Sequence, residues 1–186
     1  MRRLLRRLWR DRSGVSAVEF ALILPFLTAL VVGTIEFGRL ILVTQKLQNG
    51  SFILADLTAR GDNNKPLAES DIKSIFLALD STMKPFSLKS NGAAMLSSVS
   101  AVAGGKTVIN WQRTGAGVLS VTSGLGKVGA VAALPKELTL ASGETLVVAE
   151  VFYSFQPVFG FFVSPAVLHK VAYYRPRLGT LDALKP

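Results

Sequence analysis

Residues 14–39 read GVSAVEFALILPFLTALVVGTIEFGR, and the fold turns on the 21 residues from Val15 to Ile35, in which Glu19 is the sole charge. A helix of that length rises about 30 Å, the hydrocarbon thickness of a bilayer. The stretch is therefore expected to be a transmembrane helix. Pro25 interrupts it, and a proline inside a soluble helix costs about 3 kcal/mol, whereas membrane helices tolerate one with a kink. A bend near Pro25 is expected.

Outward from the span, the charge is uneven. The formal net charge is +9, from 21 Lys and Arg against 12 Asp and Glu. Residues 1–13 hold six arginines and one acid, which leaves +4 for the remainder, so the basic balance describes mainly the leader and argues only weakly for nucleic-acid binding. The positive-inside rule then places the N-terminus in the cytoplasm and sends the C-terminal part across the membrane. A secretory signal would follow its apolar stretch with a small-residue cleavage site, but this one runs into Glu36-Phe37-Gly38-Arg39 and a continuing helical pattern. The hydrophobic segment is expected to be retained.

At the cytoplasmic mouth of the span, Gly14 is followed by Val15-Ser16-Ala17-Val18-Glu19-Phe20. This resembles a prepilin-peptidase site, where the cut falls before the apolar segment and a glycine lets the backbone enter a narrow cleft. Val15 would be the new N-terminus. Glu19 would then lie about 6 Å inside the helix end, where a carboxylate costs less than the roughly 2.5–3.5 kcal/mol of a mid-bilayer charge. A neighbouring subunit's free amino group is one partner for it; snorkelling to the headgroups at a favourable helix N-terminus is the plainer alternative.

The stretch DRSGVSAVEFALILPFLTALVVGTIEFGRL resembles the TadE/TadG-like proteins of the Flp, or tight adherence (Tad), pilus machinery, which share a Gly, a Val-Glu-Phe, a mid-helix Leu-Pro and a Glu-Phe-Gly-Arg-like exit. The likeness covers roughly residues 12–57. It implies a minor pilin or pseudopilin cut by a prepilin peptidase between Gly14 and Val15, with Glu19 as the assembly carboxylate and Phe20 as its motif neighbour. It also implies other pilins, pseudopilins and inner-membrane pilus assembly proteins as partners. The Phe-Thr-Leu-Ile-Glu-like start of type II secretion and type IVa pilin helices is not reproduced by Val15-Ser16-Ala17-Val18. TadG-type members keep the anchor without entering the filament, and 186 residues suit the shorter, TadE-like group.

The organisation expected is a cleaved basic leader at 1–14, the span at 15–35, a helical stalk at 36–60 and an exported α+β head at 61–186. Asn49-Gly50 weakens the stalk and is a candidate kink. Gly61-Asp62-Asn63-Asn64-Lys65-Pro66 is the boundary turn. A helix fits Ala68 to Met83, with Ile72, Ile75, Phe76 and Leu79 on one face. Strands are predicted at 95–103, 106–112, 117–122, 145–155 and 167–174, forming a small, mostly antiparallel sheet covered on one face by the stalk and the second helix.

Two aromatic stretches in the head are open to more than one reading. Gln156-Pro157-Val158-Phe159-Gly160-Phe161-Phe162-Val163 is either core packing or a docking surface or membrane-touching tip. Tyr173-Tyr174-Arg175-Pro176-Arg177 could grip an anionic polymer or form ordinary surface pairs.

Catalytic chemistry is poorly supplied. There is no cysteine, hence no thiolate nucleophile or Cys-based metal site. Gly124-Leu125-Gly126-Lys127-Val128-Gly129 satisfies GxGxxG without the strand, helix and acid that a dinucleotide site requires, and reads as a turn connection. His169 is the sole histidine, placed with Val167, Val171 and Tyr173 on one strand face, and no GxSxG elbow exists for it to serve. Glu144 and Glu150 on a continuous strand would stand about 20 Å apart, too far for paired acid–base work. The expectation is a non-enzymatic subunit of a bacterial inner membrane, with the bilayer as a partner, no nucleic acid, no cofactor and no metal. An uncleaved single-pass anchor acting as a pilus assembly scaffold is the second reading, and a mitochondrial presequence at MRRLLRRLWRDRSG the third.

Overall fold

The computed structural model describes residues 14–61, 67–102 and 104–185. The leader before Gly14 and most of the 61–66 turn lie outside the described residues. Helix α1 runs unbroken over Val15–Ala59, followed by α2 at Glu69–Met83, a single turn α3 at Leu88–Asn91, and strands β1 Gly92–Ala101, β2 Thr107–Gly115, β3 Thr145–Phe155 and β4 Ala166–Tyr174. The sheet order is β2-β1-β3-β4, antiparallel throughout. The architecture is α+β, as the pattern of apolar residues predicts.

Alternation along the strands divides the sheet into two faces. Leu96, Ala149, Val151 and Phe155 point toward α1 and α2 and pack with Leu47, Leu54, Phe76 and Leu79. On the opposite face Val99, Leu146 and Val148 pack with Ile109, Leu125 and Ala132. Trp111 belongs to the first cluster and Ile109 to the second, although both are odd-numbered residues of β2. A bulge opposite Ser98/Val99 reconciles them, inserting Asn110 as an extra residue. The Asn110 amide bridges the Ser98 and Ser100 hydroxyls at 3.2 and 2.9 Å.

Helix α2 starts where the Asp71 carboxylate accepts the Ala68 N–H at 2.9 Å, and Glu69 and Asp71 also complement the helix dipole. Glu69 pairs with Arg113 of β2 at 2.6 Å, tying the helix to the sheet edge. Hydrogen bonding from the Arg113 guanidinium holds the Glu69 carboxyl below its ordinary range, against partial desolvation.

Two sequence expectations are corrected. Residues 117–122 are not a strand: Gly117 lies too close to the Gly92 carbonyl to accept a Cβ, and Leu119 donates its N–H to that same carbonyl at 3.0 Å. This segment opens a long connection, residues 116–144, that covers the second sheet face. Asn49-Gly50 does not interrupt α1; a Cβ on Gly50 would stand 2.7 Å from Leu79 Cδ1, so the missing side chain serves the approach of α2. Gly124–Gly129 is a turn connection, as expected.

Candidate membrane and assembly site

The first half of α1 is solvent-facing in the isolated chain. Every residue from Gly14 to Val31 is exposed, among them Leu22, Phe26 and Leu30. An 18-residue window of this helix has a mean hydropathy of 2.3 with none of it buried against the head. So long an apolar surface belongs in a bilayer or against other apolar helices.

Gly14 is the N-cap, with φ −86° and its carbonyl accepting the Val18 N–H at 3.1 Å. That conformation suits any residue, and a Cβ there would meet nothing within 4 Å. Among the described residues nothing therefore gives a reason for glycine at position 14. Val15, Glu19 and Phe20 follow on exposed turns of α1, and none of the described residues pairs with Glu19. Pro25 lies within the continuous helix and supplies no N–H to the Ala21 carbonyl. Thr28 and Thr34 turn their hydroxyls back onto the Leu24 and Leu30 carbonyls, each at 2.8 Å, and so hide their polarity inside the helix.

The main contact that sequence reasoning missed is Glu36. It entered that reading only as a charge at the end of the span, yet its side chain is fully buried. The β3–β4 hairpin loop, 156–165, folds down onto α1 at this point. Glu36 Oε1 accepts the Phe159 N–H at 2.8 Å and the Gly160 N–H, and Oε2 accepts the Phe162 N–H at 3.1 Å. Burial opposes the charge, but the N–H groups of Gly160, Phe162, Phe159 and Val163 outweigh it and hold the carboxyl below its ordinary range. Gly160 has φ +75°, the left-handed conformation that turns these successive N–H groups toward one acceptor. One turn above, the Arg39 guanidinium stands 5.9 Å over the Phe155 ring at the base of the hairpin. Most of the 156–163 stretch is thus not core: Val158, Phe159, Phe161 and Phe162 are exposed, while Val163 packs against the cluster between sheet and helices.

On the far sheet face Glu150 is buried between the Ser123 hydroxyl, the Gly124 N–H at 2.9 Å and His169 Nε2 at 3.2 Å. His169 also stacks on Phe152, ring centroids 4.1 Å apart. The carboxylate stands between hydroxyl and imidazole, so the histidine is not placed to take the serine proton. The cluster pins the 116–144 connection to the sheet. Sequence placed Glu144 and Glu150 on one strand; Glu144 instead precedes β3 and receives Arg175 at 3.4 Å. Arg177 pairs with Asp56 at 2.5 Å, so both arginines of the Tyr-Tyr-Arg-Pro-Arg stretch are held by carboxylates of the fold.

No curated protein and no solved structure is significantly similar to the chain. Residues 14–55 match the family described as TadE-like protein. The match begins at the Gly14 N-cap, takes in the exposed apolar turns and Glu36, and stops within the packed part of α1. Over this segment, from Gly14 to Ala55, the chain is similar to TadE-like proteins, in keeping with the TadE/TadG-like proteins of the Tad pilus.

Proposed function

We propose that the chain is a minor pilin or pseudopilin of a Tad/Flp-type pilus, without a catalytic role. A prepilin peptidase cuts the precursor after Gly14, and the subunit joins its assembly through the apolar part of α1. It is held in the bacterial inner membrane with its N-terminus cytoplasmic and its head periplasmic or carried out in the pilus. The observation that carries this reading is the combination at the head of the TadE-like match: a glycine that none of the described residues requires, then a carboxylate without a partner among the described residues, one turn into the exposed apolar part of α1. The amino group freed at a neighbour's Val15 is the natural counter-charge for Glu19, since two opposite charges in an apolar bundle neutralise each other and fix register.

One observation favours the uncleaved anchor and assembly scaffold instead. Phe162 packs against Gly33 of α1, and Phe161 and Phe162 border a groove beside Thr28 and Val32, a stretch that filament neighbours would need. The deciding measurement is the N-terminal residue of the membrane-extracted protein, by intact mass and peptide sequencing, with and without the host's prepilin peptidase. A Val15 start that depends on the peptidase supports the pilin, and Glu19→Ala should then give processed but unassembled subunit. An intact leader in both strains supports the anchor.

A further inference from the structure

The β3–β4 hairpin loop resolves an ambiguity that the sequence leaves open, and the geometry points to a second membrane contact: we propose that Phe159, Phe161 and Phe162 insert into the outer leaflet of the bilayer that α1 spans, with Glu36 as the clasp that makes insertion possible. This rests on the span and is independent of cleavage after Gly14.

Depth is set by α1 itself. Phe161 and Phe162 border a groove whose other wall includes Pro25, Thr28, Ala29 and Val32. At 1.5 Å per residue, Thr28 and Val32 lie about 12 and 6 Å below Glu36 along the helix, within the outer half of the span. Rings lying alongside these residues share their surroundings. If Leu30 is in lipid, so is Phe161.

Polarity agrees. No charged residue occurs from Gln156 to Leu168. Irregular backbone does not normally enter hydrocarbon because its N–H groups have no water to bond. Here the N–H groups of Phe159, Gly160 and Phe162 are already donated to the Glu36 carboxylate. The same bonds satisfy Glu36, whose charge would otherwise be exposed at the edge of the apolar segment. Arg39, one turn higher, is placed at headgroup level, where a guanidinium meets lipid phosphate. Phe161 is 79% exposed in the isolated chain, a value hard to reconcile with a loop facing water.

The chain contains no cysteine, so single-cysteine variants can be spin-labelled without background. The full chain would be reconstituted into liposomes of phosphatidylethanolamine and phosphatidylglycerol, with labels at Phe161→Cys, Leu30→Cys as the lipid reference and Val118→Cys as the aqueous one. At 161, collisions with oxygen should exceed those with a water-soluble nickel chelate several-fold, as at 30, with the opposite ratio at 118. Adding Glu36→Ala should move the 161 label to the aqueous ratio and leave the 30 label unchanged.

An aqueous ratio at 161 with a lipid ratio at 30 overturns the proposal while leaving the span intact. Exclusion of both collision partners at 161 also overturns it, because the rings are then covered by protein, such as a neighbour's helix. An aqueous ratio at 30 removes the span and this contact together. A label at 161 that stays in lipid with Glu36→Ala overturns the clasp, and the Phe161→Cys reading stands by itself should Glu36→Ala fail to fold.

Discussion

The two halves of α1 share one backbone geometry and almost nothing else. From Val15 to Val31 every residue is exposed, and of the head only Phe161 and Phe162 border this stretch, across a groove; from Val43 to Ala59 the same helix buries Val43, Leu47, Leu54 and Ala55 against the sheet and α2. Residue type hardly distinguishes them, since leucine, valine and alanine populate both. What differs is the interleaving: Gln45, Lys46, Gln48 and Asn49 break the second half into a stripe, whereas the first is apolar all round. A stripe is completed by the chain's own sheet. An all-round apolar surface is completed by something outside the chain.

The strongest way to break this comparison is to place a charge in each half. Leu54→Asp puts an unpaired carboxylate into the core and should cost more than about 4 kcal/mol, unfolding the head in detergent as read by thermal denaturation. Leu27→Asp should leave the head's unfolding temperature unchanged and instead lower membrane insertion by about 2.5–3.5 kcal/mol, measured by the alkali-extractable fraction. Equal loss of head stability in both variants would abolish the distinction.

Glycines sharpen it. Gly50→Val must displace Leu79 and should lose about 1–3 kcal/mol of head stability by overpacking. Gly14→Val meets no neighbour among the described residues and should leave the unfolding curve where it was, while the proposed processing to a Val15 start should be lost. A structural penalty at 14 would mean that the glycine serves the fold after all.

The smallest effect is electrostatic and confined to the packed half. Asp56 is held below its ordinary value of 3.8 by hydrogen bonding from Arg60, against desolvation, with Arg177 adding to the attraction. A carboxylate whose pKa is lower in the folded state contributes stability above its unfolded pKa and loses it as pH falls through the folded one. Head stability should therefore decline below about pH 4, and Asp56→Asn should flatten that decline slightly. A steeper acid limb in the variant would contradict the pairing.

Most of the architecture was legible because it rests on local period. The unbroken apolar run gave α1, the 3.6-residue spacing of Ile72, Phe76 and Leu79 gave α2, and β-branched alternation gave four of the five predicted strands. The strand predicted at 117–122 failed because its alternation belongs to a connection held by Gly92 rather than by a sheet neighbour. The bulge at Asn110 needs a count of residues on two strands at once. Glu36 was the larger miss, since its partners stand more than a hundred residues away and are backbone N–H groups, which any sequence offers. A carboxylate at the end of an apolar run, beside a distant Phe-Gly-Phe-Phe loop bracketed by Pro157 and Pro165, is the signal that could have suggested it.

The clasp at Glu36 also decides where the molecule can bend. With the hairpin bonded to α1 at Glu36 and Phe162 lying over Gly33, that length of helix is braced to the head. The segment below that contact runs from Val15 to Val32, about 27 Å. Pro25, which removes one backbone hydrogen bond, lies near the middle of it. A change in angle between the head and the apolar end of α1 is thus taken up at Pro25, inside the apolar segment, while the stretch clasped by the hairpin acts as a rigid lever.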